Sequence, residues 1–301
     1  MMGLLRADWI RFRHRYDLWI VLGAVLALGV LGFLSGAGSA NSAPGLSPID
    51  PSMPSELKTQ IEAQNAQIVA QAAAVRDLYI FPRSIVTILQ QGSWLFMAAA
   101  FVAASWIASE FDWGTIRNVI LAHPERGRIL AARIIALVAV MTVALIVLAA
   151  LGAVLPLLMP LVGSDHPSGV TPLTVMLAGF GDWTWCLAFV AVAALAAVVT
   201  RSPIFALILT YGYFLFDALV ANLAVWKSAG LEWLPQFLLG TRLGGLNADI
   251  ERASGLSEPY QGAPVSPLHL DPLLGLLVIA AWISLVLGAA YLVFRRADIR
   301  E

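Results

Sequence analysis

The sequence predicts an all-α polytopic membrane protein with six transmembrane helices. Three observations predict it. The composition is 59% hydrophobic and only 12% charged, about half the charged share of a soluble domain. The missing charge is concentrated, because windows of roughly 20 residues without an ionisable side chain recur, the length a helix needs to cross hydrocarbon. Between those windows the basic residues gather in alternate connections, as the positive-inside rule requires.

The chain begins with an interfacial helix over 3–17. In LLRADWIRFRHRYDLWI, Leu5, Trp9, Phe12 and Tyr16 recur at helical spacing on one face, while Arg6, Arg13 and Asp17 lie elsewhere. Such a helix lies in the headgroup plane with its rings toward the acyl chains. The first span follows at about 18–34. Basic residues, an apolar run and the small residues SGAGSANSA also fit a secretory signal peptide. The run of about 17 residues exceeds an ordinary signal core of ~7–15 residues and favours a span.

An external loop at 35–84 opens with a Gly-, Ser- and Pro-rich linker. SELKTQIEAQNAQIVAQAAAVRDLYI then reads as an external helix, with Leu57, Ile61, Ile68, Val75 and Leu78 in a loose stripe. Ser55 is placed to cap its start, although Lys58 replaces the Glu or Gln of a capping box. Further spans are expected at about 85–109, 129–155, 183–200, 204–226 and 273–294. Pro156 and Pro160 end the third. GFGDWT, 179–184, reads as the turn that opens the fourth, and Arg201, Ser202 and Pro203 as the turn between fourth and fifth. The external segment 227–271 contains WLPQFLLGTRLGGL, too short and too broken by glycine to cross. It reads as a partly buried or re-entrant external helix.

Orientation follows from the cations. With the N-terminus in the cytoplasm, Arg6, Arg11, Arg13, Arg15, Arg117, Arg126, Arg128, Arg133, Arg201, Arg295, Arg296 and Arg300 are inside. Lys58, Arg76, Arg83, Lys227, Arg242 and Arg252 are outside, completing the 18 basic residues. Both termini are then cytoplasmic in the cell membrane. A net charge of -1, with no basic face, gives no basis for nucleic-acid binding.

Residues for chemistry are sparse. A P-loop needs Gly-Lys-Ser/Thr, but the only lysines, Lys58 and Lys227, follow Leu57 and Trp226. The four histidines, His14, His123, His166 and His269, have no zinc-ligand spacing. Cys186, the one cysteine, cannot form an intrachain disulfide. Catalytic residues, a metal site and a bound cofactor are therefore not expected. One acid, Asp217, falls deep in the fifth span, where a carboxylate costs a few kcal/mol unless paired or hydrated. It is a candidate pathway or packing residue, with Tyr211, Tyr213 or Asn222 as hydrogen-bonding neighbours. The alternative is a protonated or snorkelling acid near the outer leaflet.

The densest charge lies in ASEFDWGTIRNVILAHPERGRILAARI, between two charge-free windows. Asp112 and Gly114 break the second span. Thr115 can cap a short helix, TIRNVILAH, with Ile116, Val119 and Ile120 on one face. Pro124 stops it, and Arg128 and Arg133 anchor the third span at the interface. Topology needs only the arginines, so Glu110 and Asp112 suggest contact with a partner's basic groups. The alternative is an ordinary positively charged loop.

Glu-Phe-x-x-Gly-Thr-x-Arg at 110–117, followed by Leu121 and a Pro-x-Arg-x-Arg segment, resembles the ABC-2 type transporter permeases. The N-terminal helix is similar to that family's elbow helix. The six-span layout and the tail AYLVFRRADIRE agree; the long first external loop departs from compact members. The resemblance implies that 110–127 holds a cytoplasmic coupling helix, with Glu110, Asp112, Gly114, Thr115, Arg117, Asn118 and Arg126 as partner-coupling residues. It further implies a separate ATP-binding subunit carrying ATP and Mg, a second permease copy or related chain, and export. The competing expectation is a stand-alone ion-coupled carrier, or a membrane enzyme or scaffold. A carrier usually shows several intramembrane charges and paired broken helices. Only one clear acid and no convincing repeat are found.

Overall fold

A computed structural model describes residues 9–10, 12–42, 44–50, 52–91, 94–112, 126–159, 170–223, 225–231, 234–253 and 272–296. Among these, every regular element is helical: α1 (Tyr16–Ala40), α2 (Ser55–Asp77), α3 (Arg83–Gln91), α4 (Trp94–Asp112), α5 (Arg126–Leu158), α6 (Pro172–Thr200), α7 (Pro203–Ala221), α8 (Val225–Ser228), a 3₁₀ turn (Leu234–Phe237), α9 (Leu239–Ala253) and α10 (Pro272–Arg296). In hydrocarbon no water satisfies the backbone, so an apolar run of this length must close its hydrogen bonds within itself. Among the described residues, α1, α5, α6, α7 and α10 are long and apolar enough to cross a membrane, and α3 with α4, taken as one bent span, makes a sixth. The chain is a multi-pass membrane protein.

Helix α6 is the centre of the bundle. It packs against α3, α4, α5, α7, α9 and α10. Its sequence AFVAVAALAAVV presents Ala188, Ala191, Ala193, Ala194 and Ala197 as buried positions. Small side chains let neighbouring backbones approach closely, which supplies packing energy where no hydrophobic effect acts between helices. An aromatic seam joins α4, α6 and α7. The rings of Phe189 and Phe214 stack at 3.7 Å, and Phe96 lies 4.8 Å from Phe189.

Five expected features are placed differently. The N-terminal helix does not reach residue 17: Trp9, Ile10, Phe12 and Arg13 are helical, His14 turns, and Arg15 leaves the helical region at ψ 88° before α1 begins. The second span is not one helix. α3 and α4 meet at a 48° bend. α6 begins at Pro172, so GFGDWT lies within the helix and is not its opening turn. The signals that start α6 are Thr171, whose Oγ1 accepts the Thr174 N–H at 3.2 Å, and Pro172 at the first helical position. The fifth span ends at Ala221, not 226, because Asn222 and Leu223 turn the chain toward α8. In α2 no side chain caps the start, where the flanking residue is Pro54, and no residue is buried. Its apolar stripe is only partly covered: Leu57 and Val75 are exposed, while Ile61, Ile68 and Leu78 are half-buried.

The third span also runs past its expected stop, since Pro156 lies inside α5. A proline removes the N–H that would reach the carbonyl four residues back, here that of Gly152. The buried Ser84 hydroxyl donates to that same carbonyl at 2.7 Å. α3 comes this close because residue 152 is glycine. A Cβ there would stand 2.5 Å from Ile88 Cγ2 and 2.8 Å from Ile85 Cα.

Candidate functional site

Two ends of the bundle carry the polar side chains. At the first, the chain termini of five elements converge. Arg15 donates from Nη1 to Ser109 Oγ at 2.8 Å and to the Ser105 carbonyl at 3.3 Å, tying the start of α1 to the end of α4. Phe12 is fully buried, its ring 4.9 Å from Trp106 and 5.3 Å from Trp19. Phe12 and Arg15 therefore hold this stretch against α4; residues 3–8 of the expected interfacial helix lie outside the described residues. Phe111 meets Phe294 edge-on at 6.0 Å, joining α4 to α10. A Cβ at Gly127 would stand 2.1 Å from the Tyr291 ring, so the start of α5 lies against α10 as well. The last turn of α6 shares a groove with the last turn of α10.

This end gathers Arg15, Arg128, Arg133, Arg201, Arg295 and Arg296, whereas Lys58, Arg76, Arg83 and Arg242 belong to elements at the other end. Arg133 departs from its expected role. It is 1% exposed and lies within the bundle rather than at the interface; Arg128 is exposed. A snorkelling anchor keeps its guanidinium in water, and Arg133 does not. Two of its helix-mates, Leu130 and Leu137, are buried beside it on the same face, and that periodicity was the available signal.

Of the partner-coupling residues expected from sequence, three lie among the described residues. Glu110 and Asp112 belong to the last turn of α4, and Arg126 opens α5. Gly114, Thr115, Arg117 and Asn118, with the rest of TIRNVILAH, lie outside the described residues. Both helices that bracket the segment thus terminate beside one another at the basic end.

The second end is organised by Asp217. It is 1% exposed, and its partners are not the neighbours expected for it. Its carboxylate accepts the Gly240 N–H at 2.8 Å, the Thr241 N–H at 3.3 Å and the Thr241 hydroxyl at 3.2 Å. Those N–H groups open α9, where the first turn has no intrahelical acceptor. Asp217 is an N-cap supplied by a different helix, and the positive end of the α9 dipole faces its carboxyl group. The residue type follows, because only a short acid reaches two successive N–H groups and complements the dipole. Gly240 permits the approach; a Cβ there would be 3.2 Å from the carboxyl carbon.

Tyr211 donates instead to the Met97 carbonyl at 2.8 Å, linking α7 to α4, and Asn222 donates to Ala218 of its own helix at 2.8 Å. The three expected pathway residues are therefore not brought together. Sequence reasoning missed Thr241, the partner that completes the cap. The 3₁₀ turn that leads into α9 is held by Trp282 of α10, whose Nε1 donates to the Phe237 carbonyl at 2.6 Å. Leu239 and Leu243 of α9 are fully buried against Ile279, Ile283 and Val286. Among the described residues no group of three or more His, Cys, Asp or Glu is placed to hold a metal ion.

A family model described as ABC-2 family transporter protein matches residues 10–299. The chain belongs to the ABC-2 transporter family. It is thus the membrane subunit of a transporter, and ABC-2 membership implies association with an ATP-binding subunit. No curated protein matches the chain. Within the ABC-2 match lie both polar ends, the wedge of Phe12 and Arg15 as well as the capped helix α9.

Proposed function

We propose that this ABC-2 subunit is the permease half of an ATP-driven exporter in the cell membrane, with the basic end of the bundle in the cytoplasm. One observation carries the reading: α4 ends and α5 begins side by side at that end, so the 113–125 segment must leave and return there. A short amphipathic helix in it, Thr115–His123, docks on a separate ATP-binding subunit. Glu110 and Asp112 meet basic groups of that subunit, Gly114 makes the turn, and Arg117, Asn118 and Arg126 present the polar face.

Six spans form half a pathway, so a second copy or a related permease completes it. ATP and Mg are held by the partner subunits. Closure of those subunits on nucleotide presses the segment, and the push divides between α4 and α5. α4 passes it to α1 through Arg15 and to α7 through Tyr211. At the outer end the Asp217 cap makes α9 move with α7. The spans then rock between inward- and outward-facing states, and cargo shifts that balance only by its differential affinity for the two.

The test reconstitutes the chain with the ATPase encoded beside it. Cargo-dependent ATP hydrolysis that is lost in Glu110→Ala and Gly114→Val, with both variants still membrane-inserted, supports the docking role. Unchanged coupling in both variants rejects it, and uphill transport by the chain alone favours an ion-coupled carrier.

A further inference from the structure

We propose that the groove between the C-terminal turns of α6 and α10 binds the headgroup of an anionic phospholipid. The groove is about 360 Å³ and is lined by Val198, Val199, Arg201, Leu292, Val293 and Arg296. Two guanidinium groups therefore border one open cavity whose remaining walls are aliphatic. Arg201 and Arg296 are both exposed. Val199 and Leu292 are 55% and 50% exposed, on spans whose surroundings are acyl chains.

The division of chemistry selects the ligand. Guanidinium groups bind phosphate through paired N–H donors. Val199 and Leu292 offer contact to hydrocarbon, which a free phosphate cannot use and an acyl chain can. Basic pockets between spans are built for headgroups of this kind. The two helix C-termini oppose an anion, but each carries only about half a negative charge, and the two arginines carry a full positive charge each. Attraction wins.

A second observation singles out Arg201. It has φ 55° and ends α6 in the left-handed conformation, its N–H donating to Ala197 at 2.9 Å. Glycine is the usual residue there, and a side chain costs roughly 1–2 kcal/mol. Arg201 bears that backbone cost at a position that favours glycine, and its side chain borders the groove. The inference concerns the helix ends alone and does not depend on the docking role of 113–125.

The experiment uses the purified full-length chain in mild detergent and counts bound lipid by native mass spectrometry. Phosphatidylglycerol and phosphatidylcholine of matched acyl chains are compared, with soluble glycerol phosphate as competitor. Wild type retains phosphatidylglycerol in roughly thirtyfold preference, on the scale of two interfacial arginines. Arg201→Gly with Arg296→Gln abolishes the preference, and the glycine relieves rather than strains the fold. Val199→Trp, which keeps both cations but fills the groove, abolishes it too, so the result does not hang on one variant. Preference unchanged in either variant overturns the proposal. Displacement by glycerol phosphate at the lipid's own concentration also overturns it, showing a free-anion site.

Discussion

Asp217, about one turn before the end of α7, accepts the Gly240 N–H at 2.8 Å and so caps a helix to which it does not belong. The bond fastens α7 to α9 at the end of the bundle opposite the arginine-rich one. An intramembrane acid is a pathway candidate by default, but this one is committed to three donors on α9. Asp217→Ala is expected to lower stability by about 0.5–2 kcal/mol, the range for loss of a cap. Hydrogen exchange at 239–243 is expected to quicken while the α6 core stays protected. Unaltered exchange in that turn contradicts the capping role.

Gly240→Ala brings a Cβ within 3.2–3.3 Å of the Asp217 carboxylate, so one of them must shift by a few tenths of an ångström. Gly240→Ala should therefore destabilise wild type more than it destabilises Asp217→Ala. A double-mutant cycle on thermal unfolding reads the coupling, expected at about 0.5 kcal/mol or more. Strict additivity opposes the geometry.

Ser84 and Pro156 form a second testable pair. Ser84→Ala leaves the Gly152 carbonyl without its donor, at a cost near 0.6 kcal/mol and up to about 1.7 for a hydrogen bond between membrane helices. Pro156→Ala restores a backbone N–H able to reach that carbonyl. In the Pro156→Ala background Ser84→Ala is expected to cost close to nothing. Equal costs in both backgrounds contradict the compensation.

Two glycines separate close approach from mere flexibility. Gly152→Ala forces Cβ against the α3 backbone at Ile85, and overpacking of that kind costs about 1–3 kcal/mol. Gly179 lies in α6, and a methyl group added there meets nothing within 4 Å. Gly179→Ala should therefore be neutral or stabilise by up to about 1 kcal/mol. Thermal unfolding in one detergent compares them directly.

The charge-free windows made the helical class and most spans legible, because hydrocarbon leaves a long apolar run no other hydrogen-bonded form. What sequence could not show was compensation at a distance. Pro156 reads as a stop until Ser84, far away in the chain, is seen on the carbonyl it orphans. Gly179, Gly181 and Asp182 read as a turn, yet the cap at Thr171 and Pro172 was the stronger local signal. Asp217 was legible as a costly residue, but its partners, the N–H groups of another helix, carry no sequence signature. Arg15 shows only its charge in the sequence; Ser105 and Ser109, one turn apart in an apolar helix, were the visible trace of its partner.

The proposed docking segment is tested most directly at Asn118. Cys186 is buried, so a cysteine placed by Asn118→Cys is the thiol open to a membrane-impermeant maleimide. In a cell that also makes the ATP-binding subunit, no labelling is expected from outside. Inside-out vesicles should label readily, and nucleotide-bound partner should protect the site. Labelling of intact cells from the outside, or labelling of vesicles that the partner never alters, contradicts the proposal that this segment transmits the force of ATP.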